Sequence, residues 1–240
     1  MSGGAADARG FLAHPLLGDL GVGHGFGTRE ATPPTDLVGP RQVHGARVAR
    51  AVATTGAGRA PFRAEPEEAD AIVADGAGAC VGVVTADCVP VLVAAEDGAS
   101  VGAIHAGWRG LAAGVVEAGV AALRAIARAP LRAVVGPCIG PCCYEVDAPV
   151  LDALARRFGD TAVASASRPS RPGHARVDLG ALVRVDLLRA GIATTALGTL
   201  SLGGERACTR CAPALFHSYR RDGAAAGRLV HFVRASPGRG

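Results

Sequence analysis

Three side chains able to bind a soft divalent metal stand in separate short motifs: His44 in RQVHG, Cys88 in TADCVPVL and His105 in HAGWRG. Two imidazoles and one thiolate leave a fourth position open on a tetrahedral ion, which is the donor pattern of a catalytic rather than a structural zinc. Such an ion lowers the pKa of a bound water toward neutrality and polarises a substrate oxygen or leaving group. The same residues also admit metal-free chemistry, with Cys88 as nucleophile, His105 as its base, and Asp87 or the loops supplying orientation. A third arrangement places metal elsewhere. Cys138, Cys142 and Cys143 of GPCIGPCC, with Cys208 and Cys211 of CTRC, could form a closed four-cysteine site, although the spacing is irregular for a zinc knuckle. Each feature also has a plain structural reading, since a cysteine beside an apolar run is most often a small core hydrophobe. Against that reading, an acid such as Asp87 in a valine-rich run is costly to bury without a partner.

The stretch that must position these groups runs from Thr85 to Gly110. Val89–Ala95 and Val101–Ile104 are apolar runs of buried-strand length, joined by AAEDGAS with Asp97-Gly98 as its turn signal. Cys88 lies just before the first run and His105 just after the second, so adjacent strands would bring thiol and imidazole together. Gly107 and Gly110 let the backbone turn sharply and approach a ligand closely. The spacing of Leu111, Val115, Val116, Val120 and Leu123 predicts a helix over Leu111–Arg128. With Trp108–Gly110 at its N-terminus, backbone N–H groups and Arg109 would make an anion site.

Elsewhere the glycine-rich GVGHGFGT is expected to be a strand or turn, and His24 within it is the first substitute metal ligand to consider. His44 sits at the entrance to a strand-like ARVARAVA, and Asp70 stands where EEADAIVA begins one. Residues 58–68 and Ala164–Gly173 read as polar loops, and Leu131–Val135, Ile192–Leu202 and Leu229–Val233 as strand-bearing segments. Pro149–Phe158 and Asp178–Ala190 read as helices, the latter with Asp178 as N-cap. No linker or repeat divides the chain, which is expected to be a loose segment over residues 1–20 followed by one domain from 21 to 240.

The 240 residues, 49% of them hydrophobic, allow a large core. All 25 basic residues are arginine, which excludes any lysine-dependent chemistry such as a Schiff base or a P-loop lysine. A net charge of +4 is too mild to argue for nucleic acid, whereas arginine suits anionic small ligands. No apolar run is long enough to span a membrane and the N-terminus has no signal-peptide pattern, so a cytoplasmic protein is expected. Seven cysteines in such a chain are expected as reduced thiols or metal ligands.

RQVHG, TADCVPVL, HAGWRG, GPCIGPCCYEV, the CT of CTRC and FHSYRRDG with GR following, in that order, resemble the multicopper polyphenol oxidase (laccase-domain) family, also called the purine nucleoside phosphorylase or peptidoglycan editing factor family. The resemblance covers residues 21–233. It implies an α+β fold, a single domain with a layered mixed β core flanked by helices, similar to a bacterial toxin's cysteine-deamidase domain. It implies zinc, with copper admitted, on His44, Cys88 and His105. It also implies phosphorolysis of adenosine, inosine, guanosine and methylthioadenosine, and deamination of adenosine. The partners would be a purine nucleoside and phosphate, not nucleic acid or a membrane. Asp87 joins Cys88 and His105 as a candidate catalytic residue. Arg41, Gln42, Trp108, Arg109 and Arg220, with Arg228 beside them, are candidates for holding substrate and phosphate. A Cys–His hydrolase and a role in editing cell-wall precursors are the competing expectations. His217 departs from the family's usual aromatic residue, which bears on local packing only. Seven scattered histidines cannot build a multicopper centre.

Overall fold

The computed structural model describes residues 6–53 and 62–237. At its centre is a seven-stranded mixed sheet in the spatial order Leu197–Thr199, Leu131–Val135, Val89–Ala95, Ser100–Ala106, Ala71–Asp75, Val48–Ala53, Phe62–Glu65. Its pairings are antiparallel except for the Leu197–Thr199 strand on Leu131–Val135 and the Val48–Ala53 strand on Ala71–Asp75. Val89–Ala95 and Ser100–Ala106 are buried along their whole length. Alternate residues go to different cores. Val91 and Val93 join Ile104 beneath the helices Val115–Arg124, Ala148–Phe158 and Leu179–Arg189. Leu92 and Ala94 pack with Phe26, Val81, Val83 and Leu229 of a second sheet. That sheet runs Phe11–Leu12, Gly23–Gly27, Leu229–Arg234, Cys80–Thr85. The result is a helix–sheet–sheet sandwich, which is why the central strands read as unbroken apolar runs rather than alternating ones. The α+β class with a layered mixed β core is the observed architecture. Among the described residues no helix is long and apolar enough to cross a membrane.

The expectation of a loose segment over residues 1–20 is corrected from residue 11 onward. Phe11 and Leu12 pair with Gly27 and Phe26, and Phe11 packs edge-on against Phe232 at 4.9 Å. A Cβ on Gly25 would fall 2.7 Å from Phe11 Cβ, so the glycine-rich strand is shaped to receive this side chain. Pro15–Gly18 forms a short helix whose cap is His14, with Nδ1 accepting from the Leu16 N–H at 3.1 Å.

The single helix expected over Leu111–Arg128 is two, Trp108–Ala112 and Val115–Arg124, divided at Gly114 with φ 89°. A left-handed glycine ends one helix and redirects the chain into the next. Part of the expected 58–68 loop lies outside the described residues, and Phe62–Glu65 is a strand paired with Val48–Ala53. Ala164–Gly173 is a loop only in part, since Ser167–Pro169 pairs with His174–Val177. Within Ile192–Leu202, a 3-10 turn at Thr194–Ala196 leaves only Leu197–Thr199 for the central sheet. Asp178 caps its helix as expected, accepting from the Ala181 N–H at 2.8 Å.

Phe11 separates the corrected picture from the loose one. Phe11→Ala is expected to cost about 3–5 kcal/mol, as for other buried phenylalanines. Chemical denaturation showing no change would place the residue outside the core.

Candidate functional site

Strand register brings the motifs together. Pro90 lies opposite His105 and Val89 opposite Ala106, so Cys88, one residue before its strand, falls level with Gly107. Ala71 pairs with Ile104, and the His105 N–H donates to the Asp70 carbonyl at 2.7 Å. The parallel partner strand enters at Val48 opposite Ala71, which carries the His44–Gly45 bend to the same sheet edge. His105 is the penultimate residue of its strand rather than the residue after it. The ligating atoms of His44, Cys88 and His105 all lie within 4.8 Å of one another, and the two imidazoles meet edge-to-face at 4.9 Å.

Glycines keep the space open. A Cβ on Gly107 would lie 3.0 Å from Cys88 Sγ and 3.1 Å from His44 Cδ2, and one on Gly110 would lie 2.8 Å from the Gly45 carbonyl oxygen. Side chains at these positions would intrude among the ligands or lift the helix off the His44 bend.

Asp70, fully buried, is the organising residue that spacing alone did not assign. Its Oδ1 accepts from His105 Nδ1 at 2.8 Å and from the His44 N–H at 2.8 Å. Its Oδ2 accepts from the N–H groups of Gly45 at 2.7 Å and Val43 at 3.2 Å. Burial alone would raise this carboxyl's pKa, but the His105 contact and the three backbone donors outweigh it and hold it anionic. His44, with φ at 60°, is held in a conformation that side chains rarely adopt. The three N–H bonds to Asp70 secure it there.

Nδ1 of His105 is therefore committed to Asp70, and Nε2 is left for the site. Burial pushes His105 down, but Asp70 and Cys88 together lift it to about 9. Burial pushes the Cys88 thiol up, and the adjacent His105 and His44 bring it down to about 7. Each of the two thus favours the charged form of the other, a thiolate at Cys88 and an imidazolium at His105.

A cavity of about 640 Å³ opens above these groups, rimmed by Arg41, Arg109, Arg220 and Arg228. Trp108 and Tyr144 line it as well, with Arg109 lying 4.4 Å over the Trp108 ring and Arg220 5.1 Å over the Tyr144 ring. Arg41 is ion-paired to Glu68. The Gln42 amide is tied to the Val84 backbone at 2.8 and 2.7 Å, so it acts as a splint for the rim.

Asp87 lines the cavity without touching His105. Its carboxylate accepts from the Thr209 hydroxyl at 2.6 Å and the Arg220 N–H at 2.6 Å. The orienting acid beside His105 is Asp70, and Asp87 instead anchors the chain that carries Arg220. Asp87 also holds φ at 91°, a strained value maintained by those bonds.

Other expectations separate from this place. His24 is no substitute ligand, since its Nε2 accepts from the His14 N–H at 3.0 Å within the second sheet. Arg109 stands on a helix of only five residues, so the expected anion site of a long helix reduces to the arginine itself. Cys142, Cys143, Cys208 and Cys211 form a second group. Cys138 is not in it, and burial raises that thiol to about 12.

Residues 27–236 match the family described as multi-copper polyphenol oxidoreductase laccase. A purine nucleoside phosphorylase of Xylella fastidiosa is 46% identical over 182 residues, 76% of this chain and 66% of that protein. The chain thus spans about two thirds of that relative's length. An adenosine deaminase RL5 from an unknown prokaryotic organism is 33% identical over 204 residues, 80% of this chain and 72% of that protein. The crystal structure of hypothetical protein YfiH from Bacillus licheniformis superposes with a TM-score of 0.79 at 28% identity, covering 95% of this chain and 97% of that one. The chain belongs to the multi-copper polyphenol oxidoreductase laccase family.

The clearance at Gly107 gives a direct test. Gly107→Ala is expected to cost about 1–3 kcal/mol through overpacking. Unchanged denaturation would mean that the His44–Cys88–His105 triangle has slack at this point.

Proposed function

We propose that this member of the family is a metal-dependent enzyme of purine nucleosides, cleaving the glycosidic bond with phosphate and, as a second activity, deaminating adenosine. The observation that carries the reading is the His44–Cys88–His105 triangle opening onto an arginine-rimmed cavity. The names of the relatives, a purine nucleoside phosphorylase and an adenosine deaminase, support it. A cavity of this size lies within the usual range for small-molecule sites.

Two imidazoles and a thiolate fit zinc with a position left for substrate, and the same donors accept copper. When bound, the ion supplies Lewis acidity that polarises a substrate oxygen or leaving group. His14, His24, His174, His217 and His231 lie outside the ligand group, so the chain lacks the histidines for a cluster of several coppers.

The protein's own residues have separable roles. Asp70 fixes the His105 tautomer, and the Cys88 thiolate forms at neutral pH. Arg109, Arg220 and Arg228 can hold phosphate by charge-assisted contacts, with Arg41 shared between Glu68 and the rim. The Trp108 and Tyr144 rings offer flat apolar surfaces near the opening for a purine. Asp87 is a positioning residue for Arg220.

One observation also favours a metal-free thiol enzyme: Cys88, His105 and Asp70 form the nucleophile–base–acid series of a cysteine hydrolase. Metal removal separates the two. Chelation is expected to abolish release of hypoxanthine from inosine and phosphate, and zinc to restore it. In the zinc-free protein, Cys88 alkylation should rise with pH to half its maximum near 7, since only the thiolate reacts. Zinc should suppress that alkylation. A zinc-free preparation that turns over inosine at the original rate would overturn the metal reading and favour the thiol enzyme.

A further inference from the structure

Outside the cavity, Cys142, Cys143, Cys208 and Cys211 bring four sulfur atoms within 4.8 Å of one another. Cys143 Sγ and Cys211 Sγ are 3.3 Å apart, and Cys142 Sγ and Cys211 Sγ 3.6 Å. Tetrahedral zinc with sulfur arms of about 2.3 Å has edges of about 3.8 Å between ligands. The observed spacings are close to that edge. They are well outside the ~2.05 Å of a disulfide, and all four cysteines are free.

Two of the four sulfurs meet donors that favour a thiolate. The Gly140 N–H donates to Cys208 Sγ at 3.2 Å and the Arg210 guanidinium to Cys143 Sγ at 3.6 Å. A Cβ on Gly140 would meet Cys142 Sγ at 3.2 Å, so glycine lets the loop close over the sulfurs. Cys208 and Cys211 have the CxxC spacing of a metal knuckle. The adjacent pair Cys142-Cys143, irregular by sequence, reaches the same point because the chain turns there, with the Cys143 N–H donating to the Gly140 carbonyl at 2.9 Å.

We propose that these four cysteines form a second, closed metal centre that takes zinc as a tetrathiolate, distinct from the open His44–Cys88–His105 site. Binding forms four metal–sulfur bonds and releases the thiol protons to solvent, with no change of oxidation state. The centre staples two segments that already share backbone bonds, Cys138 N–H to the Ala207 carbonyl at 3.3 Å and Thr209 N–H to the Cys138 carbonyl at 3.0 Å. Thr209 is the residue whose hydroxyl holds Asp87, and the Ile139 N–H donates to the Asp87 carbonyl at 3.0 Å. The staple therefore braces the cavity wall that carries Asp87 and Arg220. Its role is architectural, since all four coordination positions are filled by protein.

Protein purified under reducing conditions with zinc is expected to hold two ions per chain by elemental analysis and native mass spectrometry. Cys208→Ser with Cys211→Ser should lose one ion, and His105→Ala the other. Cobalt(II) substitution keeps the test independent of whether the cysteine double variant folds. Cys88→Ser protein, whose cysteine cluster is intact, should still show the strong sulfur-to-cobalt absorption of a four-thiolate tetrahedral site. A Cys88→Ser protein without that absorption would overturn the proposal. So would an intact mass, taken under the same reducing conditions, showing a disulfide within the cluster.

Discussion

A single carboxylate with no exposure to solvent, Asp70, ties together three backbone N–H groups and one imidazole. Removing a carboxylate from water costs several kcal/mol, and only a full complement of donors in good geometry offsets it. Here the donors are the backbone of Val43, His44 and Gly45 and the ring of His105. Folding therefore cannot bury Asp70 without also placing two metal-competent histidines side by side. The same charge keeps the His105 proton on Nδ1, so that Nε2 is presented to Cys88 and to the cavity.

The layered fold makes that arrangement possible. The central strands are covered on one face by helices and on the other by a second sheet, so their middles are apolar throughout. The candidate site lies at the sheet edge where Cys88, Asp70 and the end of the His105 strand meet. At that edge the chain departs from relaxed geometry at His44 and Asp87. Each is held by hydrogen bonds to buried partners, and such strain persists only where the surroundings over-determine it. The arginines of the rim come from separate segments, Arg109 and Arg220 from short helices and Arg41 and Arg228 from outside the helices and strands.

Much of this was legible in the sequence. Cys88 and His105 flank apolar runs of strand length, and a short turn between such runs implies an antiparallel pair. His44 was legible as a metal-competent side chain at a strand entrance, but its approach to the other two was not, because it depends on a parallel pairing with a distant strand. Asp70 was visible only as the start of a strand, since nothing local says that its carboxylate turns back onto residues 43–45. The N-terminal strand was missed because two residues carry too little pattern. Phe11 gains its place from a glycine in another strand. The helix break at Gly114 was missed because alanine-rich, helical spacing continues across it, and the left-handed glycine is a tertiary choice. Cys142 and Cys143 looked irregular for a metal site because spacing rules describe local knuckles, not two loops meeting in space.

The dependence of the ligand triangle on Asp70 is tested most directly by calorimetric zinc titration of Asp70→Asn in a Cys208→Ser, Cys211→Ser background, beside that background alone. Asparagine keeps the shape but sets an amide N–H against backbone donors and removes the charge that directs the His105 proton. Metal affinity should fall about 10–100-fold, as for other residues that orient a ligating histidine, with far-ultraviolet circular dichroism unchanged. An affinity equal to the background's, in protein equally folded, would contradict the account.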